Sequence, residues 1–133
     1  MNERFLYHIT SLSEWNEAQN VGEYKPRGYD REGFIHCSYD RQLLTVAHRF
    51  YKGQDGLVIL IIKRGDRQQN QTATDRVFES STIENSLVEE NLEGGTELYP
   101  HLYCPLPIDS VIKAVAFPCD ARGGFTLPQE LTM

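Results

Sequence analysis

The apolar residues of this chain fall into short stretches whose spacing predicts strands in some segments and helices in others. Residues 57–62, Leu-Val-Ile-Leu-Ile-Ile, form an unbroken apolar run after Gly56, which predicts a central strand buried on both faces. Residues 4–9 are rich in aromatic and branched side chains and predict a first strand. Shorter strands are predicted over residues 33–38, 76–79 and 111–117.

Two segments carry the signals of short helices. Residues 11–14, Ser-Leu-Ser-Glu, match a capping box, and Gly22 is placed to end the helix that follows. Apolar residues recur at helical spacing between residues 43 and 51, and Ser38 or Asp40 can cap this second helix.

The remaining segments are predicted to be irregular. Residues 24–28 contain Pro and Gly and predict a loop, and the acidic segment 80–97 predicts a mobile one. Residues 99–107 contain three prolines, which argues against a central strand and predicts a rigid extended loop. Residues 119–133 predict a tail. The chain, 1–133, is therefore predicted to be one α+β domain with two short helices and a mixed or antiparallel split sheet.

Composition and charge narrow the function. The formal net charge of -6, with no Lys or Arg between Val77 and Ile112, disfavours non-specific nucleic-acid binding and directs any anionic ligand to the first half of the chain. No apolar run reaches the roughly 20 residues that span a bilayer, and residues 1–4 lack the features of a signal peptide. We therefore expect a cytoplasmic protein without a membrane partner.

Familiar cofactor motifs are missing. The three cysteines are widely spaced and are predicted to be free thiols. The chain has no glycine-rich phosphate loop and no pair of histidines at metal-binding spacing, so no metal is expected. A zinc site would require the fold to gather the dispersed His8, His36 and His101, which is the less favoured reading.

The predicted strand 33–38 has two chemically different faces. A period of two places Phe34, His36 and Ser38 on one face and Ile35 and Cys37 on the other. Cys37 is therefore predicted to be a buried, inert thiol rather than a nucleophile.

Three of the four histidines, His8, His36 and His101, lie next to aromatic residues, which predicts a shared pocket although each could equally be a structural residue. Glu79 and Glu97 are the nearby carboxylates that could act in catalysis, with a solvated surface position as the alternative for each. Tyrosines around the third histidine, including Tyr103, could stack on a ligand or fill the core.

Four segments together resemble one family. They are Tyr7-His8-Ile9 with Trp15 and Ala18, residues 33–38 with Gln42, residues 57–62, and Tyr99-Pro100-His101-Leu102-Tyr103 with Pro105-Leu106. This combination resembles the domain of unknown function 952 family from the first strand to about Phe117. The family is grouped by fold with the ADP-ribosyltransferase-like superfamily, so the resemblance implies a split sheet with an NAD-type cleft.

The resemblance also implies roles for particular residues. His8 would hold the ribose on the nicotinamide side, and His36 with Ser38 would form the second wall. Gln42 and Tyr103 complete the implied cofactor-binding set. The third, catalytic role falls first to Glu79.

Glu97 and His101 are the rival candidates for that catalytic role. His36 and Ser38 are predicted to share a face with His8, with Cys37 buried behind them.

These observations leave three functions open. The first is an enzyme that uses NAD for ADP-ribosyl transfer or cleaves its glycosidic bond. The second is a non-catalytic module that binds a nucleotide or a peptide in the same cleft. The third, less favoured, is a metal-dependent hydrolase built on the three histidines.

Overall fold

A computed structural model describes residues 5–64, 83, 86–91 and 97–131. The strands are β1 Phe5–Ser11, β2 Glu23–Tyr24, β3 Ile35–His36, β4 Leu57–Lys63, β5 Leu87–Glu90, β6 Tyr99–Leu102, β7 Leu106–Pro107 and β8 Val111–Ala116. The α-helices are α1 Leu12–Val21, α2 Tyr29–Glu32 and α3 Leu43–Phe50. Short 3-10 turns lie at Asp40–Gln42, Ile108–Ser110 and Gln129–Leu131.

The long apolar run forms the middle strand of an antiparallel sheet with the order β1-β4-β8. Strand β4 is buried on both faces as predicted, because separate apolar clusters cover the two sides of the sheet. Leu60 faces the cluster that contains Tyr24, and Ile59 faces the cluster that contains Phe117. The predicted strand over residues 57–62 is confirmed.

A second antiparallel sheet has the order β3-β6-β5, and strands β2 and β7 form a separate pair. An isolated bridge between Tyr7 of β1 and Ser38 links the second sheet to the first. Every strand pair in the described parts of the chain is antiparallel. The α+β class with antiparallel sheets is thus confirmed, and the mixed-sheet alternative is not needed for these residues.

The prediction of an extended loop over residues 99–107 is wrong, because β6 is the central strand of the second sheet. Pro100 fits there because its carbonyl oxygen points toward the β3 side, where it accepts the N–H of Cys37 at 2.9 Å. The N–H that proline lacks would point to the same side, beyond the two paired residues of β3. The proline therefore removes no hydrogen bond to β5.

Parts of two other predicted loops are also ordered strands. Residues 87–90 of the acidic segment 80–97 pair with β6 as strand β5, since Leu87 lies opposite Leu102 and packs on the core. Tyr24 pairs with Leu106 and is buried. The predicted strand over residues 76–79 lies outside the described residues.

The helices follow their sequence signals, with one addition. The N–H of Glu14 donates to Ser11 Oγ at 3.1 Å, and Gly22 ends α1 with a φ of 102°, as the capping box predicts. Helix α3 begins after a 3-10 turn that starts at Asp40. Helix α2 was not predicted, because it is a single turn closed by Gly33 at a φ of 84°. No helix in the described parts is long and apolar enough to cross a membrane.

The C-terminal tail packs against the first sheet. Phe125 is buried and stacks on Phe117 with ring centroids 4.7 Å apart. Its N–H donates to His48 Nε2 at 2.9 Å, which ties the tail to α3.

Candidate functional site

Strands β5 and β6 bring a carboxylate and an imidazole together on one face of the second sheet. Glu90 lies opposite Tyr99 in the register, and His101 is two residues farther along the same strand, so the two side chains are diagonal neighbours. Glu90 Oε2 lies 3.1 Å from His101 Nδ1 and also accepts the hydroxyl of Tyr103. Sheet register, not sequence spacing, creates this pair.

Hydrogen bonding keeps the Glu90 carboxylate ionised. The bonds from Tyr103 and then from His101 hold the pKa of Glu90 below its usual value, and the same carboxylate raises the pKa of Tyr103. A carboxylate only accepts hydrogen bonds, so Nδ1 of His101 carries a proton. The His101 side chain is only 3% exposed and that of Glu90 is 21% exposed, so the carboxylate is the member of the pair that solvent can reach.

Aromatic rings surround this pair. Phe34 stacks on His101 with centroids 4.2 Å apart and planes 13° apart, and its ring lies 5.3 Å from that of Tyr103. His36 lies directly opposite His101 across β3 and β6, with centroids 5.0 Å apart. We call the following set the aromatic wall: Phe34, His36, Phe50, Tyr99, His101 and Tyr103.

His8 lies apart from the aromatic wall. Its Nδ1 is 2.7 Å from the carbonyl oxygen of His36, and its Nε2 is 2.8 Å from the hydroxyl of Tyr24, which in turn lies 2.9 Å from Thr10 Oγ1. Burial lowers the pKa of His8 to about 4, so the ring is neutral at pH 7 and donates from Nδ1 to that carbonyl. Both ring nitrogens are thus engaged inside the protein.

The prediction that His36 and Ser38 share a face with His8 is wrong. Ser38 pairs directly with Tyr7, and directly opposed residues point to the same face of a sheet. Alternation then puts His36 on the Tyr7 face and Cys37 on the His8 face. Cys37 is fully buried, and burial raises the pKa of its thiol, so the predicted burial is confirmed and the inert thiol stays a prediction.

The same geometry separates the histidines proposed for a metal site. His36 and His101 are neighbours, whereas His8 is held by a backbone carbonyl and a tyrosine hydroxyl. Within the described parts of the chain, no three His, Cys, Asp or Glu side chains are placed to hold a metal ion. The three-histidine hydrolase has no support from this arrangement.

Gln42 and Glu97 are in contact with each other, but neither belongs to the aromatic wall. Gln42 Nε2 donates to Glu97 Oε1 at 2.6 Å and to the carbonyl oxygen of Leu98 at 2.9 Å. The Oε1 atom of Gln42 accepts the N–H of Tyr39 at 3.0 Å. The bond from Gln42, and then the one from Arg41, lowers the pKa of the exposed Glu97. Gln42 thereby fastens the start of β6 to the 3-10 turn before α3.

The sequence-predicted site therefore divides into four parts. His36, His101 and Tyr103 meet in the aromatic wall, and His8 lies behind it, next to the bridge that Ser38 makes with Tyr7. Gln42 bonds Glu97, and Glu79 lies outside the described residues. The carboxylate that sequence reasoning missed is Glu90. It was hidden in a segment predicted as a loop, where the adjoining Leu87 and Val88 were the available signal of a strand.

Two surface grooves lie elsewhere on the protein. One, of about 340 Å³, runs along α1 and is lined by charged side chains that include Glu17 and Lys25. The other, of about 400 Å³, lies at the start of α1 and is lined largely by apolar residues that include Trp15 and Phe117. Neither groove includes a residue of the aromatic wall.

Comparison with known proteins places the chain in a family. The family described as "Protein of unknown function (DUF952)" matches residues 9–114. The chain belongs to this family. A search of curated proteins finds no match.

Solved structures of one bacterial protein share the DUF952 fold seen here. The crystal structure of protein CC0527 from Caulobacter crescentus is 27% identical, with a TM-score of 0.76, and the match covers 97% of this chain and 99% of that one. The solution NMR structure of the same protein is 27% identical, with a TM-score of 0.69, and covers 91% of this chain and 90% of that one. The family model establishes the family and the solved structures share the fold, and the chemistry must be argued from the residues of this chain.

Proposed function

We propose that the aromatic wall binds a nucleotide, with NAD as the first ligand to test, and that the protein transfers ADP-ribose from it or cleaves its glycosidic bond. The supporting observation is the ionised Glu90 carboxylate, held by Tyr103 and His101 beside half-exposed aromatic rings. Flat rings stack on such surfaces, and a nearby carboxylate favours a ring that carries positive charge. The resemblance to the ADP-ribosyltransferase-like superfamily supports the same assignment.

The charge of the site suits the proposed reaction. When the bond between nicotinamide and ribose breaks, its electron pair leaves with the nicotinamide ring, and positive charge develops at C1′ of the ribose. The oxygen of water or of an acceptor hydroxyl then bonds to C1′ and releases its proton. A fixed carboxylate stabilises the developing charge, and we assign this role to Glu90.

A position for the phosphates lies at the end of α3. Phe50 of the aromatic wall is 6.4 Å from His36, and the guanidinium of Arg49 lies 5.2 Å from the Phe50 ring. An arginine so close to the wall offers positive charge to a pyrophosphate. The acidic character of β5 is therefore compatible with a dinucleotide.

The residues implied by the family resemblance take modified roles in this proposal. His36 and Tyr103 contact the ligand ring, and His8, Ser38 and Gln42 hold the wall in place. Glu79 and Glu97 stay predictions for the remaining catalytic contacts.

The test combines binding and turnover. Calorimetric titration of NAD and NADP into the wild type should show saturable binding, and a nicotinamide-release assay should show turnover. Glu90→Gln should weaken NAD binding, because it removes the charge beside the nicotinamide ring, and should also lower the release rate at saturating NAD about 100-fold or more, the usual cost of removing a transition-state charge partner. Glu89→Gln, one residue away on the opposite face of β5, is the matched control and should keep its activity. No binding of either dinucleotide contradicts the proposal.

A non-catalytic nucleotide-binding or peptide-binding module is the second candidate. The burial of His101 favours this non-catalytic module. An imidazole that is only 3% exposed does not contact the reacting atoms of a ligand unless the neighbouring side chains move. Saturable binding without nicotinamide release, unchanged by Glu90→Gln, would select this function over the enzyme.

A further inference from the structure

His101 carries a buried nitrogen without a hydrogen-bond partner. Its Nε2 contacts no donor or acceptor in the part of the chain that the structure describes, although the side chain is only 3% exposed. Buried polar atoms are nearly always satisfied, by protein, by water or by a ligand. The other ring nitrogen is already satisfied by Glu90, so the unmet requirement belongs to Nε2 alone.

The partner of Nδ1 limits the states of the His101 ring. Glu90 is an ionised acceptor, so Nδ1 carries a proton, and in the tautomer that bears this one ring proton Nε2 presents a lone pair. The group that completes the site around this tautomer donates a hydrogen bond. A ligand carbonyl or carboxylate would leave Nε2 of this tautomer unsatisfied.

The neighbours of His101 limit the shape of that donor. Phe34 stacks against one face of the imidazole, and the ring of His36 lies 5.0 Å away. Both neighbours are half-buried, so they lie at the protein surface rather than in the core. A flat ligand ring that packs between these side chains would contact the imidazole of His101 with its edge.

We infer that the aromatic wall selects a positively charged heteroaromatic ring with an N–H donor at its edge, and that His101 Nε2 is the acceptor that reads this donor. This inference rests on the proposed nucleotide-binding function. In a nicotinamide dinucleotide the donor is the carboxamide N–H, and the Glu90 carboxylate complements the ring charge. His101 is then a specificity-determining residue whose tautomer is set by Glu90.

Calorimetry with two dinucleotides tests this inference. Acetylpyridine adenine dinucleotide keeps the shape and charge of NAD but carries a methyl group in place of the carboxamide NH₂. The wild type should bind NAD about tenfold more tightly, the ratio that one hydrogen bond of ordinary net strength gives. His101→Phe keeps a ring for Phe34 to stack on and should bind both compounds equally.

A second measurement covers the case in which His101→Phe does not fold. Nitrogen NMR of the histidines in the wild type should show the Nδ1–H tautomer of His101 without ligand. Saturating NAD should shift the Nε2 resonance toward a hydrogen-bonded nitrogen, and the acetylpyridine analogue should not.

The outcomes separate the two proposals. Equal affinity for both dinucleotides in the wild type, or an Nε2 resonance that NAD leaves unchanged, overturns the inference while nucleotide binding stands. A preference that persists in His101→Phe also overturns it. If neither dinucleotide binds, the proposed function fails and the inference fails with it.

Discussion

Ser38 lies directly opposite Tyr7, and the N–H of each residue donates to the carbonyl oxygen of the other at 2.8 and 2.9 Å. This bridge joins the two sheets and sets the face of every residue in the neighbouring strand β3. As a result, the His36 side chain lies next to His101, while His8, on the opposite face, bonds the carbonyl oxygen of His36. The orientation of His36 in the candidate site follows from this register.

The buried His8 should make the fold sensitive to mild acid. Its pKa is about 4 when folded and 6.5 in the reference state, so the unfolded chain binds an extra proton between these values. Stability is therefore complete above pH 6.5 and declines as the pH falls toward 4, by about 2 kcal/mol at pH 5. Urea unfolding of the wild type at pH 7 and pH 5 measures the decline.

His8→Gln is the matched variant for that experiment. Glutamine can still donate to the His36 carbonyl but does not titrate, so this part of the pH dependence should disappear. A decline of the same size in His8→Gln would contradict the assignment.

Glu90 should stabilise the fold through its charged form, and its contribution, like that of neutral His8, falls as the pH is lowered. Its pKa is lowered in the folded protein, so its contribution is present above the usual glutamate range and is lost as the pH falls through the folded-state value. The stability difference between wild type and Glu90→Gln should shrink as the pH is lowered below about 4.5. Denaturant unfolding across this range measures it, with Glu17→Gln, which removes an exposed carboxylate of α1, as the control variant.

Gln42 should contribute more to the free energy of unfolding than its charged neighbour Arg41. Gln42→Leu removes the hydrogen bonds that Gln42 makes with the N–H of Tyr39 and the carbonyl of Leu98, at an expected cost of about 2–3 kcal/mol. Arg41→Leu breaks an exposed ion pair with Glu97 and a cation–π contact with the Tyr39 ring, 5.7 Å away, and should cost about 1 kcal/mol. Urea titrations of the two variants measure the difference, and equal costs would show that the Gln42 network is not structural.

The three cysteines should differ in reactivity. Cys37 is fully buried with a raised pKa, whereas Cys104 and Cys119 are partly exposed. A thiol-specific reagent should label two cysteines in the native protein and all three after denaturation. Rapid native labelling of Cys37, located by peptide mass analysis, would contradict its buried position.

Local signals predicted the parts of the fold that depend on local physics. The apolar run of β4, the capping box of α1 and the burial of Cys37 all follow from the order of nearby residues. Strands β5 and β6 were not predicted, because their hydrogen bonds join segments that are not adjacent in sequence. Pro100 also argued against a central strand at the position of β6.

The site was predictable only in part for the same reason. His36, His101 and Tyr103 could be named as candidates from their neighbours. Glu90 could not be paired with His101 until the register of β5 and β6 was known. The grouping of His8 with His36 failed because a one-residue change of register reverses the face.

The most direct test of the account is a calorimetric titration of NAD into the wild type, Phe34→Ala and Ile112→Ala. Phe34 stacks within the aromatic wall, while Ile112 is an exposed apolar residue on the distant strand β8. We predict one saturable site in the wild type, at least a tenfold loss of affinity in Phe34→Ala and no change in Ile112→Ala. Absence of saturable binding, or equal affinity in all three proteins, would contradict the claim that the aromatic wall binds a nucleotide.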